Sequence, residues 1–328
     1  MTVPDSTVRR LRNLGISVFS RHGLLIAWVL VIVVFGALKP SLFLQPRNFQ
    51  TIFSERSILL ILTLGMLPAL SAGEYDLSVA STTGLSFVIL GWLNIIHAWP
   101  ILPSMAVALV AALLVGIVNS VVITVLEVPS IVATLGMGTL LAGAALGINN
   151  LITTGVSPAL ISAARTKVLG LQAIFFYALL LTFALFYVFA YTPLGRYIHF
   201  VGSGRDVARL TGIRVNAIRA GTLIFGSVIA GFAGILLAGR NGSVDPNIAP
   251  PLLLPAFAGA FLGSTTITPG RFNAWGTFIA VYFLATGING LQLVGISGWV
   301  EQVFFGAALV IGVVFSQLAG RRTALGGR

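Results

Sequence analysis

Residues 173–191 read AIFFYALLLTFALFYVFAY, and residues 192–219 continue TPLGRYIHFVGSGRDVARLTGIRVNAIR. The first run carries no charge. The second holds Arg196, Arg205, Asp206, Arg209, Arg214 and Arg219, and a further apolar run, 220–238, follows it. An α-helix rises about 1.5 Å per residue, so an uncharged run of this length spans most of the hydrocarbon core of a bilayer, about 30 Å. The two runs and their sequel therefore read as a helix through lipid, a basic segment in water, and a second helix through lipid. A chain of this kind has one long aqueous segment on which a soluble partner can dock.

The rest of the chain agrees with that reading. Of its 328 residues 57% are hydrophobic and 8% charged, and the mean hydropathy is +1.02. A soluble domain carries about 25% charged residues, so this chain cannot cover a water-facing surface. Strand-length segments alternating apolar and polar are absent, which leaves an all-α polytopic transmembrane bundle rather than a barrel. The net charge of +11 comes from basic residues spread over termini and connections, where they set orientation; it does not indicate nucleic-acid binding. There is no cysteine, hence no disulfide or thiol chemistry, and His22, His97 and His199 lie far apart without ligand-like spacing.

Ten spans are expected, at about 23–38, 58–72, 77–96, 102–126, 129–149, 173–191, 220–238, 252–263, 273–293 and 298–318. Arg9, Arg10, Arg12 and Arg21 precede the first, which ends in Lys39-Pro40 without a small-residue cleavage site and reads as an uncleaved helix. Residues 8–20 could form an interfacial helix ahead of it. An even count puts both termini on one side. Placing them in the cytoplasm puts 13 basic residues inside and six outside (Lys39, Arg47, Arg56, Arg165, Lys167 and Arg240), as the positive-inside rule favours. The expected organisation is a cytoplasmic segment 1–22, one permease domain 23–319 with a cytoplasmic coupling loop 192–219, and a cytoplasmic tail 320–328. Gly226, Ala230 and Gly234, and Gly143 and Gly147, recur at the spacing that lets helices approach closely in lipid.

Few residues could carry chemistry. Glu74, Asp76 and Ser78 cluster between the second and third spans, and Glu301 lies at the start of the tenth. Charges at membrane depth mark proton or solute sites. Asp76 and Ser78 equally suit the cap of the third helix, whose free amides and dipole favour them. Asn119, Thr134, Asn289 and Gln292 lie inside spans; uncharged amides and hydroxyls suit a path for a neutral hydroxylated solute, and equally interhelical hydrogen bonds. Within the basic segment, Arg205-Asp206-Val207-Ala208-Arg209-Leu210-Thr211-Gly212-Ile213 places Val207, Leu210 and Ile213 on one helical face, and Gly212 suits a helix stop. Such a helix is either a peg for a partner's groove or a solvated connection whose arginines only set topology. No Gly-x4-Gly-Lys-[Ser/Thr] occurs around either lysine, so the chain has no P-loop of its own.

Four segments together resemble the permease subunits of the ribose/xylose/arabinose/galactose class of bacterial ABC importers, across nearly the whole length. Gly73-Glu74-Tyr75-Asp76-Leu77-Ser78-Val79 resembles that family's Gly-Gly-Ile-Asp-Leu-Ser-Val, with Glu74 at its second glycine. Val128-Pro129-Ser130-Ile131-Val132-Ala133-Thr134-Leu135-Gly136 resembles its Ile-Pro-x-Phe-Ile-Ala-Thr-Leu-Gly. Ala208-Arg209-Leu210-Thr211-Gly212-Ile213 resembles its Ala-x-x-Ser-Gly-Ile coupling segment, and residues 287–295 the segment before its last helix. A Gly-Gly-x-Ser turn of the family is reduced here to Gly263-Ser264-Thr265.

The resemblance implies a multi-pass permease of the bacterial inner membrane that is not itself an enzyme. It would be paired with a second permease chain, identical or a close paralogue, within the lipid. Cytoplasmic ABC ATPases would bind ATP and Mg, this chain holding no cofactor, and an extracytoplasmic solute-binding protein would deliver a small hydroxylated solute, a monosaccharide foremost. The alternatives are a sister ABC permease for nucleosides or branched-chain amino acids, a proton-coupled transporter using Glu74, Asp76 or Glu301, and a passive channel.

Overall fold

The computed structural model of the chain describes the backbone of residues 6–296 and 298–325, and the side chains of residues 22–296 and 298–315. Its helices are α1 (Ser6–Leu38), α2 (Pro40–Phe43), α3 (Pro46–Glu55), α4 (Ser57–Ser71), α5 (Val79–Gly91), α6 (Ile101–Thr124), α7 (Ser130–Ile148), α8 (Pro158–Arg165), α9 (Ala173–Tyr191), α10 (Pro193–Ser203), α11 (Arg205–Leu210), α12 (Val215–Asn241), α13 (Leu253–Gly263), α14 (Ala274–Leu293) and α15 (Trp299–Leu325). A π-helical segment (Trp92–Ile96) extends α5, a 3-10 turn (Pro250–Leu252) precedes α13, and the described residues also hold four two-residue strands: β1 (Thr153–Thr154), β2 (Lys167–Val168), β3 (Leu171–Gln172) and β4 (Ser243–Val244). They pair antiparallel, β1 with β4 and β2 with β3.

The protein is an all-α polytopic helical bundle. Among the described residues six helices are long and apolar enough to cross a membrane: Val79–Ile96, Ile101–Thr124, Ser130–Ile148, Ala173–Tyr191, Val215–Asn241 and Ala274–Leu293. Helices α3 and α4, bent by 40° at their junction, make a seventh if counted as one span. Three shorter apolar helices are His22–Leu38, Pro250–Gly263 and Trp299–Phe315. The backbone of the expected interfacial helix 8–20 is continuous with α1; its side chains, like Arg9, Arg10, Arg12, Arg21 and the tail from 316, lie outside those described.

The chain divides into two compact units, residues 53–257 and residues 1–52 with 258–328. In the first, α12 is the central post, packed against α4, α5, α6 and α8. Small residues make that possible. Gly226 lies where a Cβ would be 3.3 Å from the Gly65 carbonyl of α4, and one on Gly234 would collide with the Thr83 carbonyl of α5. Ala230 is fully buried between them. Van der Waals contact at this distance, rather than burial from water, holds helices together in lipid. Gly143 and Gly147 of α7, expected to pack in the same way, lie where an added Cβ would meet nothing within 4 Å among the described residues. Pro68 sits inside α4, which is buried along its whole length.

In the other unit α1 packs on α14, with Trp28 Nε1 donating to Thr286 Oγ1 at 2.9 Å. The Phe35 ring covers Gly290, and Asn273 caps α14 by accepting from Gly276 N–H at 2.7 Å.

The segment 192–219 is not a loop. It is two helices, α10 and α11, followed by the first turn of α12. Thr192 caps α10, its hydroxyl accepting from Gly195 N–H, and Pro193 occupies the first helical position, where its missing N–H costs nothing. Helix α12 starts at Val215, five residues ahead of the expected 220.

Candidate coupling site

The connection between α4 and α5 is where the candidate residues converge. Glu74 and Asp76 are 1% and 2% exposed, and Ser78, Asn119 and Thr134 are buried beside them. Asp76 Oδ1 accepts from Ser78 N–H at 2.9 Å and from Ser78 Oγ at 2.6 Å. Ser78 Oγ in turn accepts from Asn119 Nδ2 at 2.9 Å. Thr134 Oγ1 accepts from Leu77 N–H at 2.9 Å and donates toward the Tyr75 carbonyl at 3.0 Å; Ser130 Oγ accepts from Tyr75 N–H. The resemblance segments around 76 and 134 thus meet in space: α6 and α7 grip the backbone that enters α5. Asn289 and Gln292 lie on α14, in the other unit. Gln292 is exposed, and Asn289 keeps a buried carbonyl oxygen without a partner.

Asp76 Oδ2 is also buried without a partner. Burial pushes the Asp76 carboxyl above its ordinary range, and the two Ser78 hydrogen bonds pull it back only in part. The folded state therefore holds this proton more tightly than the unfolded chain does. That stability is fully present below the ordinary carboxylate value of about 3.9 and is lost as pH rises through the higher native value. Asp76→Asn, measured by thermal unfolding in detergent across pH, should lose this component of the decline. A wild-type pH slope in the variant would show that Asp76 does not contribute.

Glu74 is not a cap. Its Oε1 accepts from Arg219 Nε at 2.5 Å and from Arg205 Nη2 at 2.6 Å. Arg205 Nη2 also donates to the Gly73 carbonyl at 3.2 Å, and Arg219 Nη2 reaches the Ile123 carbonyl of α6 at 3.5 Å. Arg219 was legible only as one basic residue of the segment; nothing in the sequence assigns it to a carboxylate 145 positions away. A second contact fixes the same corner. Gly202, near the end of α10, faces the end of α4 so closely that a Cβ there would collide with the Ser71 carbonyl.

Helix α11 stands on this anchor. Ala208 is fully buried and clusters with Val201 and Val215, with Ile213 and Ile218 packed against them. The outward face carries Leu210, 88% exposed, and Val207, 56% exposed, beside Asp206 and Arg209, which lie 3.5 Å apart in an exposed pair. The helix ends at Leu210, and Gly212 takes a φ of +83°, the left-handed stop that glycine permits. The expected face of Val207, Leu210 and Ile213 is corrected here. The chain reverses at Gly212, helical periodicity stops applying, and Ile213 packs inward. The exposed apolar pair is Val207 and Leu210.

The family model described as branched-chain amino acid transport system / permease component matches residues 48–313. The autoinducer 2 import system permease protein LsrC of Salmonella typhi is 31% identical over 301 residues, covering 89% of this chain and 84% of that protein. The LsrC protein of Escherichia coli (strain K12 / DH10B) is 30% identical over 297 residues, covering 89% and 85%. The D-allose transport system permease protein AlsC of Escherichia coli (strain K12) is 23% identical over 304 residues, covering 92% and 93%. No solved structure matches the chain. With the matched region embracing the anchored α11, the α4–α5 connection and the central α12, this chain belongs to the permease-component family of the branched-chain amino acid transport systems.

Proposed function

We propose that the chain is the inner-membrane permease of an ATP-driven ABC importer for a small hydroxylated solute, a monosaccharide foremost. The observation that carries this reading is α11: a short helix fixed at its base by Ala208 and Arg205, with Val207 and Leu210 exposed among the described residues. An exposed Leu costs about 1.5–3 kcal/mol of forgone burial, which a partner's groove recovers. The transport subunit does no covalent chemistry. ATP and Mg belong to the cytoplasmic ATPases that take this helix, and a solute-binding protein delivers the solute from the other face. D-allose in the printed name of one relative supports the monosaccharide. A second permease chain completes the path, and lipid covers the exposed apolar faces of α7 and α9.

The six long spans, the bent pair and the three shorter apolar helices, all among the described residues, make ten, and the excess of basic residues on one side then puts both termini and α11 in the cytoplasm. Helix α9 then separates the β2–β3 turn from α10. In a chain without native cysteine, Leu169→Cys, at a position 92% exposed, should react with an impermeant thiol reagent in intact cells, and Ser203→Cys should not. The reverse pattern would overturn the orientation.

The proton-coupled alternative is weakened at one of its three carboxylates, because both arginine donors converge on Glu74. The solute is tested by uptake in cells expressing the complete system, offered labelled D-allose and other monosaccharides, leucine and adenosine in turn. Accumulation of a monosaccharide is expected. Accumulation of leucine or adenosine, with no sugar, would make this a sister permease.

A further inference from the structure

We infer that Glu74 is the joint that transmits motion of α11 to the transmembrane bundle, with Arg219 its fixed half and Arg205 its releasable half. The inference rests on the coupling role proposed for α11 and adds how that helix grips the bundle.

The two halves differ in where the positive charge would go on separation. The Arg219 side chain is 9% exposed, sits on the central post α12, and has a further acceptor in the Ile123 carbonyl. Pulling it from Glu74 would strand two charges away from water, which is strongly unfavourable. The Arg205 side chain is 41% exposed and begins α11. Its guanidinium can turn into water with little loss, so this bond yields first when α11 is pushed or pulled.

Charge balance points the same way. Both donors share one oxygen, Glu74 Oε1. With Arg205 engaged the junction carries an excess positive charge, half of it in water. With Arg205 released the buried remainder, Glu74 and Arg219, is neutral. Release of Arg205 thus leaves no unpaired charge in the interior, which is what a two-state switching element needs. Gly73, at a φ of +79°, and the close approach of Gly202 to Ser71 keep the α4–α5 connection pressed to the end of α10 in the engaged arrangement. The position now held by Glu74 is a glycine in the motif this segment resembles, so the joint is read from this chain's own residues.

The test uses the assembled permease and ATPase with the binding protein in proteoliposomes, comparing wild type, Arg205→Gln, Glu74→Gln, the double variant and Arg205→Lys. Three quantities are read: ATPase co-purified per permease, ATP hydrolysis, and solute taken up per ATP hydrolysed. ATPase association should stay at the wild-type level in all of them. Uptake per ATP should fall about tenfold in each single variant, within the usual range for a coupling between sites. The double variant should be no worse than either single one, and Arg205→Lys should recover part of the loss. Wild-type uptake per ATP in Arg205→Gln overturns the joint, as does a double variant whose losses multiply. Should Glu74→Gln fail to assemble, Arg205→Gln alone decides. Full ATPase association together with full uptake in a Leu210→Asp control would instead remove the coupling role of α11.

Discussion

Leu210→Asp strips the ATPase from the permease and leaves the bundle folded. Leu210 is 88% exposed, so the bundle loses little contact when it changes. A partner's groove loses the burial of one Leu, about 1.5–3 kcal/mol, and must also accommodate an unpaired carboxylate. Burial alone corresponds to about tenfold to a hundredfold in affinity, and the charge adds to it. Co-purification of the ATPase should fall by at least that factor and uptake should be abolished, while the unfolding temperature stays that of wild type. Full association together with full uptake would reduce α11 to a connection that only sets topology.

The second large effect is on stability. Glu74→Ala leaves Arg219 buried without a carboxylate, and breaking a buried pair from one side costs about 3–5 kcal/mol. Removing both charges, Glu74→Ala with Arg219→Met, should recover most of that loss, because an apolar replacement of a buried pair is often close to neutral. The comparison is the unfolding temperature of the detergent-solubilised protein. Equal destabilisation in the single and the double variant would show that the arginine is satisfied without Glu74.

These effects sit at the places where the sequence was least transparent. Helix α9 was legible residue for residue, because an uncharged apolar run bounded by Gln172 and Thr192 has one way to sit in a bilayer. The α4–α5 connection was legible as a cluster but ambiguous in role. Asp76 and Ser78 do bond locally, as a cap reading suggests, whereas Glu74 reaches across to two helices. Pairing between residues far apart in the chain leaves no periodic trace. The early start of α12 has the same origin: Arg219 marks water in a hydropathy reading, yet Glu74 neutralises it inside the bundle. Helix α10 escaped because Arg196, Tyr197 and His199 break the apolar pattern, while Gly195, Ile198 and Val201 bury its inner face. Asn119 and Thr134 were found as polar residues in lipid, but only the fold shows that they bind the backbone and hydroxyls of the α4–α5 connection.

The central claim is that transport by this chain is driven by a separate ATPase. It is tested most directly by uptake into proteoliposomes holding the purified chain alone, with and without a pH gradient, and then with the ATPase, ATP, Mg and the binding protein added. The account predicts no ATP hydrolysis and no uptake by the chain alone under either condition, and both in the complete system. Robust uptake by the chain alone, driven by the pH gradient, would contradict it.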